Sequence, residues 1–131
     1  MIKKQIIQNA RILIAEDDET NRQVILAYLS GMSTLDLTVV EDGRAALEAA
    51  TTNQYDLMIL DQNMPFITGD RIIRHLKASA SINAKTPIIR LSADTSHSKD
   101  ASLAGSRCIH LAKPLRSDEL VETIKSLLGD A

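Results

Sequence analysis

Short apolar runs alternate with segments whose apolar residues recur at helical spacing, and the alternation holds along most of the chain. Arg11 to Ala15 predicts a first strand. Val24, Ile25, Tyr28, Leu29 and Met32 then predict a helix, with Gly31 near its stop. Leu37 to Val40 predicts a second strand, and Asp42 is a candidate N-cap for the Ala-rich segment Arg44 to Ala50. Asp56 to Leu60 predicts a third strand, apolar at successive positions from Leu57, as burial on both faces requires. A helix carrying Ile72, Ile73 and Leu76 follows, and Pro87 to Leu91 gives a fourth strand. Ser98 to Ala104 is a weakly amphipathic fourth helix, and Cys108 to Ala112 a fifth strand. Ser117 is placed to cap a last helix with Leu120, Val121, Ile124, Leu127 and Leu128 on one face. Strands alternating with helices imply an α/β protein of three-layer α/β/α architecture, its parallel sheet held between helical layers. With no repeat or internal linker, the expectation is a single domain over residues 1–131, its core at about 11–128, with no room for a second.

Composition narrows the function classes. A chain of 131 residues can bury roughly two-thirds of its unfolded surface and needs no disulfide staples. With 44% hydrophobic and 24% charged residues it is neither disordered nor fibrous. The net charge of -2, without a long Lys/Arg block, argues against direct binding of nucleic acid. Three aromatic side chains, Tyr28, Tyr55 and Phe66, cannot build a base-stacking platform. The lone Cys108 lies in an apolar stretch, as a buried inert thiol would. Neither a signal peptide nor an apolar run near the ~18 residues of a membrane span is visible, so a cytoplasmic location without membrane insertion is expected.

The chemistry collects at one edge. The C-terminal ends of parallel strands point the same way, and ligands bind there. The first strand ends in Glu16-Asp17-Asp18, the third in Asp61, the fourth in Ser92 and the fifth in Lys113-Pro114. Clustered carboxylates repel unless a cation stands among them, and Mg²⁺ is commonly held by one or two carboxylates with waters and phosphoryl oxygens. An ammonium and a hydroxyl opposite suit a transferring phosphoryl group, whose transfer needs positioning and charge stabilisation. Each piece alone has an ordinary explanation. Acids after a strand cap the next helix, Asp61 is a turn former, Lys113 a solvated lysine and Ser92 a capping hydroxyl. Four strand ends carrying complementary chemistry together are harder to explain that way.

These residues resemble the receiver domain of two-component response regulators over about Arg11 to Leu128. "ILIAEDDETNR" is similar to the family's first strand with its acidic pair, Glu16 and Asp17. "ILDQNMPFITG" resembles the phosphoacceptor segment, "RLSAD" the hydroxyl-bearing fourth strand and "LAKPL" the Lys-Pro pair. The resemblance implies a flavodoxin-like strand order 2-1-3-4-5 and an Asp61 that attacks the phosphorus of a phosphohistidine on a histidine kinase or histidine phosphotransfer protein. It implies Mg²⁺ bound by Asp17, Asp61 and the Asn63 backbone carbonyl, with Glu16 acting through water. Lys113, Ser92 and the Ala93 N–H would hold the phosphoryl oxygens. Such a protein is no enzyme on other substrates; it catalyses only its own phosphorylation and dephosphorylation. The acyl phosphate would draw Ser92 inward and bias a two-state equilibrium read by a downstream protein.

Two positions depart from that pattern. His110 stands where the family usually has the Tyr or Phe that swings on activation, and the chain is one residue longer between Gly105 and Lys113. Arg90 replaces a small apolar residue on the fourth strand, and is expected to snorkel to the surface or find a carboxylate near the fourth helix. Asn63 and Asp94 sit where the family tunes phosphoryl lifetime. The Asn21-Arg22 pair is similar to receivers of hybrid kinases, so both a free-standing regulator and a hybrid-kinase segment stay open.

Two other classes compete. A Mg²⁺-dependent phosphohydrolase of the haloacid-dehalogenase type needs a second Asp two residues past its nucleophile, where this chain has Asn63, and a cap domain. A receiver-like interaction module that is never phosphorylated would tolerate loss of Asp61 or Lys113, both of which are present. A flavin carrier is weaker still, since Glu16 to Glu19 would repel a phosphate.

Overall fold

The computed structural model describes residues 9–32, 35–93 and 108–129. In chain order these form β1 (Ala10–Ala15), α1 (Glu19–Leu29), β2 (Leu35–Val40), α2 (Gly43–Thr52), β3 (Leu57–Asp61), α3 (Gly69–Ala78), β4 (Ile88–Ser92), β5 (Cys108–Ala112) and α4 (Ser117–Gly129). The sheet is parallel throughout, in the order β2-β1-β3-β4-β5, as the resemblance implied. The helix expected over Ser98 to Ala104, and Asp94, lie outside the described residues.

Successive side chains of a strand point to opposite faces, so each apolar strand feeds two cores. On one face Ile12, Ile14, Ile59 and Ile89 pack with Ile25 and Leu29 of α1 and Leu120 and Ile124 of α4. On the other, Leu13, Met58, Leu60 and Ile88 meet Ala46 and Ala50 of α2 and Ile72, Ile73 and Leu76 of α3. Each fully buried Leu or Ile contributes about 1.5–3 kcal/mol, so the central strands β1 and β3 anchor the fold. At the far edge Asn83 ties the layers: its amide donates to the Asn53 carbonyl (2.7 Å) and accepts from the Tyr55 N–H (3.0 Å).

Some boundaries shift for local reasons. Asp42 caps α2 as expected, accepting from the Ala45 N–H at 2.8 Å. Helix α1 stops two residues before Gly31, because the Ser30 hydroxyl takes up the Ala27 carbonyl at 2.7 Å. Ser117 is already helical, and the Leu120 N–H reaches the Arg116 carbonyl at 3.0 Å, so α4 opens at the expected cap itself and the cap position falls one residue earlier.

Arg90 requires a correction. It is 1% exposed and does not snorkel. Strand β4 is flanked by β3 and β5, with Leu60, Arg90 and His110 in one register row, so the side chain enters the α3 layer. It does find a carboxylate, but on α3: its Nη1 pairs with Asp70 Oδ1.

Candidate functional site

The strand order brings the acidic end of β1 beside the end of β3, and the loop after β5 across from both. Glu16 and Asp61 are buried, at 0% and 2% exposure, whereas Asp17 is open to solvent. One carboxylate oxygen from each of Glu16, Asp17 and Asp61 lies within 4.8 Å of the others. Lys113 Nζ stands 3.1 Å from Glu16 Oε1 and 3.0 Å from Asp61 Oδ1. Asp18 has the ordinary role that its position allows, capping α1 by accepting from the Asn21 N–H at 2.8 Å.

Backbone contacts fix the site from several sides. The Arg22 guanidinium donates to the Glu16 carbonyl at 3.0 Å, and the Asp18 N–H to Glu16 Oε2 at 3.2 Å. The Gln62 N–H binds the Leu91 carbonyl, holding the residue after Asp61 to β4. Gly69 turns back onto the same segment: a Cβ there would lie 2.8 Å from the Asp61 carbonyl oxygen, so only a glycine passes. Pro65 and Phe66 shape the loop between. Phe66 is exposed at φ 75, a strained conformation for an aromatic residue, with the Arg44 guanidinium 4.0 Å from its ring centroid.

The remaining expected residues gather at the same edge. Ser92 ends β4, buried, and its carbonyl accepts from the Lys113 N–H at 3.0 Å; Ala93 follows it into solvent. The Asn63 N–H reaches back to Asp61 Oδ1 at 3.4 Å. The Lys113–Pro114 peptide bond is cis. His110 lies further back in β5, half-buried, its Nδ1 3.4 Å from Arg90 Nη2. Beside the site a groove of about 200 Å³ is walled by Val24, Tyr28, Leu91 and Leu115 and touches Glu16 and Lys113.

The electrostatics are set first by burial and then by the neighbouring charges. Burial pushes the Asp61 carboxyl up to about 7, with Lys113 opposing and Glu16 adding to the rise. For Lys113, burial works against the ammonium, but the hydrogen bond and charge of Asp61 and the charge of Glu16 outweigh it and raise the pKa. Glu16 Oε1 is buried and receives no directed hydrogen bond among the described residues, only the ionic neighbour Lys113. Three carboxylate donors, one of them under-satisfied, with Lys113 as the ammonium beside them among the described residues, fit a hard divalent cation. Cys108 is half-buried rather than wholly enclosed. Its thiol pKa is raised by burial despite Arg90 and Lys77, which suits an unreactive side chain.

Sequence reasoning missed the Arg90–Asp70 pair and the bond from the Asp70 N–H to Gln62 Oε1 at 2.9 Å. The available signal was Asp70 itself, the first acid after β3 and one turn from the loop that an arginine on β4 could reach.

Comparison with known proteins agrees with this arrangement. The response regulator receiver domain family model matches residues 12–125, and the chain belongs to that family. It is 33% identical over 119 residues to the response regulator ArlR of Staphylococcus saprophyticus, covering 90% of this chain and 52% of that one. It is 32% identical over 126 residues to the sensory/regulatory protein RpfC of Xanthomonas campestris, covering 92% of this chain and 17% of that one. The chain thus spans about half, or less, of the length of these relatives. The receiver domain of the sensor histidine kinase PA1611 from Pseudomonas aeruginosa superposes with a TM-score of 0.79 at 29% identity, covering 92% and 98% of the two chains. That structure holds a magnesium ion in its active-site cleft. This chain is a phosphoacceptor signalling domain of the two-component type. Receiver domains bind Mg²⁺ and interact with histidine kinases and downstream effectors.

Proposed function

We propose that Asp61 is the phosphoacceptor of this domain, taking a phosphoryl group from a phosphohistidine of a kinase or phosphotransfer protein. The observation that carries the reading is the buried Asp61 carboxylate within 3.0 Å of Lys113 and inside the Glu16–Asp17–Asp61 cluster. An Asp61 oxygen forms the new bond to phosphorus as the bond from phosphorus to the donor imidazole nitrogen breaks, and the imidazole leaves with the electron pair. Lys113 meets the charge on the transferring oxygens, and the Ser92 hydroxyl and Ala93 N–H hydrogen-bond the remaining ones. Asp17, Asp61 and the Asn63 carbonyl would hold Mg²⁺ directly, and Glu16 through water. The bound ion would supply positive charge that lowers the carboxylate repulsion and steadies the phosphoryl oxygens.

Residues 1–131 act in this reading as one receiver unit in the cytoplasm, catalysing only their own phosphorylation and its loss. Intact-protein mass spectrometry after incubation with acetyl phosphate and Mg²⁺ tests it. One added phosphoryl group is expected on the wild type, none on Asp61→Asn and none with EDTA. A wild type that neither gains the group nor binds beryllofluoride would leave an interaction module instead.

A further inference from the structure

Among the described residues Arg90 is the largest fully buried side chain that carries a charge, and the proposed phosphoacceptor chemistry does not use it. Its contacts nevertheless lead to Asp61. The guanidinium Nη1 pairs with Asp70 Oδ1, in the first turn of α3. The Asp70 N–H donates to Gln62 Oε1 at 2.9 Å, and the neighbouring Gly69 N–H to the Gln62 carbonyl at 3.0 Å. Gln62 follows Asp61 directly, and Gly69 packs against the Asp61 carbonyl. Two adjacent amides of the α3 start therefore grip the residue beside the acceptor, and the charge behind the second is anchored from within the sheet. On its other side Arg90 Nη2 lies 3.4 Å from His110 Nδ1 on β5.

We propose that Arg90 is a positioning residue for the phosphoryl-accepting loop: through Asp70 it holds the α3 N-terminus on Gln62, and so sets the Asp61 carboxylate among its partners. The inference rests on the reading of Asp61 given above. An apolar residue at position 90 would fill the space but leave Asp70 with no cation at that contact. Arginine is suited to this place because its rigid planar fork stays charged when buried and can address Asp70 and His110 at once. A lysine at position 90 keeps the charge and loses the fork.

The test uses the whole chain as Arg90→Met, Arg90→Lys and the double variant Arg90→Met/Asp70→Leu. The double variant replaces the buried pair by apolar volume and keeps a folded protein available. Amide hydrogen exchange at Gly69 and Asp70 reads the grip, and calorimetric titration with Mg²⁺, alone and with beryllofluoride, reads the site. Expected are faster exchange at both amides in Arg90→Met and in the double variant, with Mg²⁺ affinity lowered roughly tenfold, the low end of the effect of removing outer partners of a metal site. Arg90→Lys should fall between. The proposal is overturned if the folded double variant binds Mg²⁺ as the wild type does, even with faster exchange, because Arg90 is then a structural strut alone. If the wild type itself takes up neither Mg²⁺ nor beryllofluoride, the reading of Asp61 fails. Unchanged amide exchange in the variants overturns the positioning role independently of that.

Discussion

Two groups of charge sit on either side of the same stretch of chain, and among the described residues they are composed differently. Around Asp61, among the described residues, the buried Glu16 and Asp61 and the exposed Asp17 face the Lys113 ammonium. Around Arg90, among the described residues, the guanidinium pairs with the Asp70 carboxylate and lies beside the His110 imidazole. An ion pair that draws a buried charge to a partner is felt, when broken, as lost stability. A surplus of one sign raises the pKa of a member and leaves room for a ligand of the opposite sign. Burial is the first cause of the raised Asp61 pKa and the Glu16 charge adds to it, and that combination distinguishes the candidate site from the Arg90–Asp70 pair.

The sharpest way to break that comparison is to deepen the surplus. Lys113→Met is expected to slow phosphorylation by acetyl phosphate about 10²–10³-fold, as loss of one preorganised charge stabiliser does. The same variant should bind Mg²⁺ at least as tightly by calorimetry, because Glu16 and Asp61 lose the ammonium that competes with the ion. A parallel loss of both would mean that Lys113 merely supports the fold. Next in size, Arg90→Ala should cost about 3–5 kcal/mol in urea unfolding, the usual result of orphaning a buried partner, while Arg90→Met/Asp70→Leu should recover most of it. Equal costs would show that cavity volume, not charge balance, governs that cluster.

The pH response follows from Asp61. Its folded pKa of about 7 lies above the ordinary 3.8, so between these values the metal-free folded state binds more protons than the unfolded one. Stability in EDTA should therefore fall as pH rises from about 4 to about 7 and level off above, a trend that Asp61→Asn should flatten in urea melts. Mg²⁺ affinity should climb through the same window as the carboxylate ionises. The smallest effect is expected at an exposed pair: Arg11 Nε stands 3.6 Å from Asp36 Oδ2, both well solvated. Asp36→Ala should shift stability by no more than about 0.5 kcal/mol.

The same contrast explains what was legible in the sequence. The strands were, because Leu57 to Leu60 or Ile12 to Ile14 have no other place than a sheet covered on both faces. The gathering of Glu16, Asp17, Asp61 and Lys113 was too, because parallel strands collect their C-terminal residues at one edge whatever the loops do. Arg90 was not. A charge inside an apolar run states a need for a partner but does not say where the partner lies, and Asp70 reaches it only through the packing of α3 on β4. The α4 start was misplaced for a similar reason: Ser117 is a good capping residue, yet the Arg116 carbonyl takes the first bond.

Tyr28 gives the molecule an optical property. The chain has no tryptophan and two tyrosines, so tyrosine emission is not drained by energy transfer to an indole. Tyr55 is enclosed at the opposite edge of the sheet, whereas the Tyr28 hydroxyl donates to the Leu115 carbonyl at 3.1 Å, in the groove that touches Glu16 and Lys113. One fluorophore is a steady internal reference, and the other is tethered two residues from the lysine of the site. A ligand that moves the loop after β5 is therefore expected to change the Tyr28 emission of the unlabelled protein.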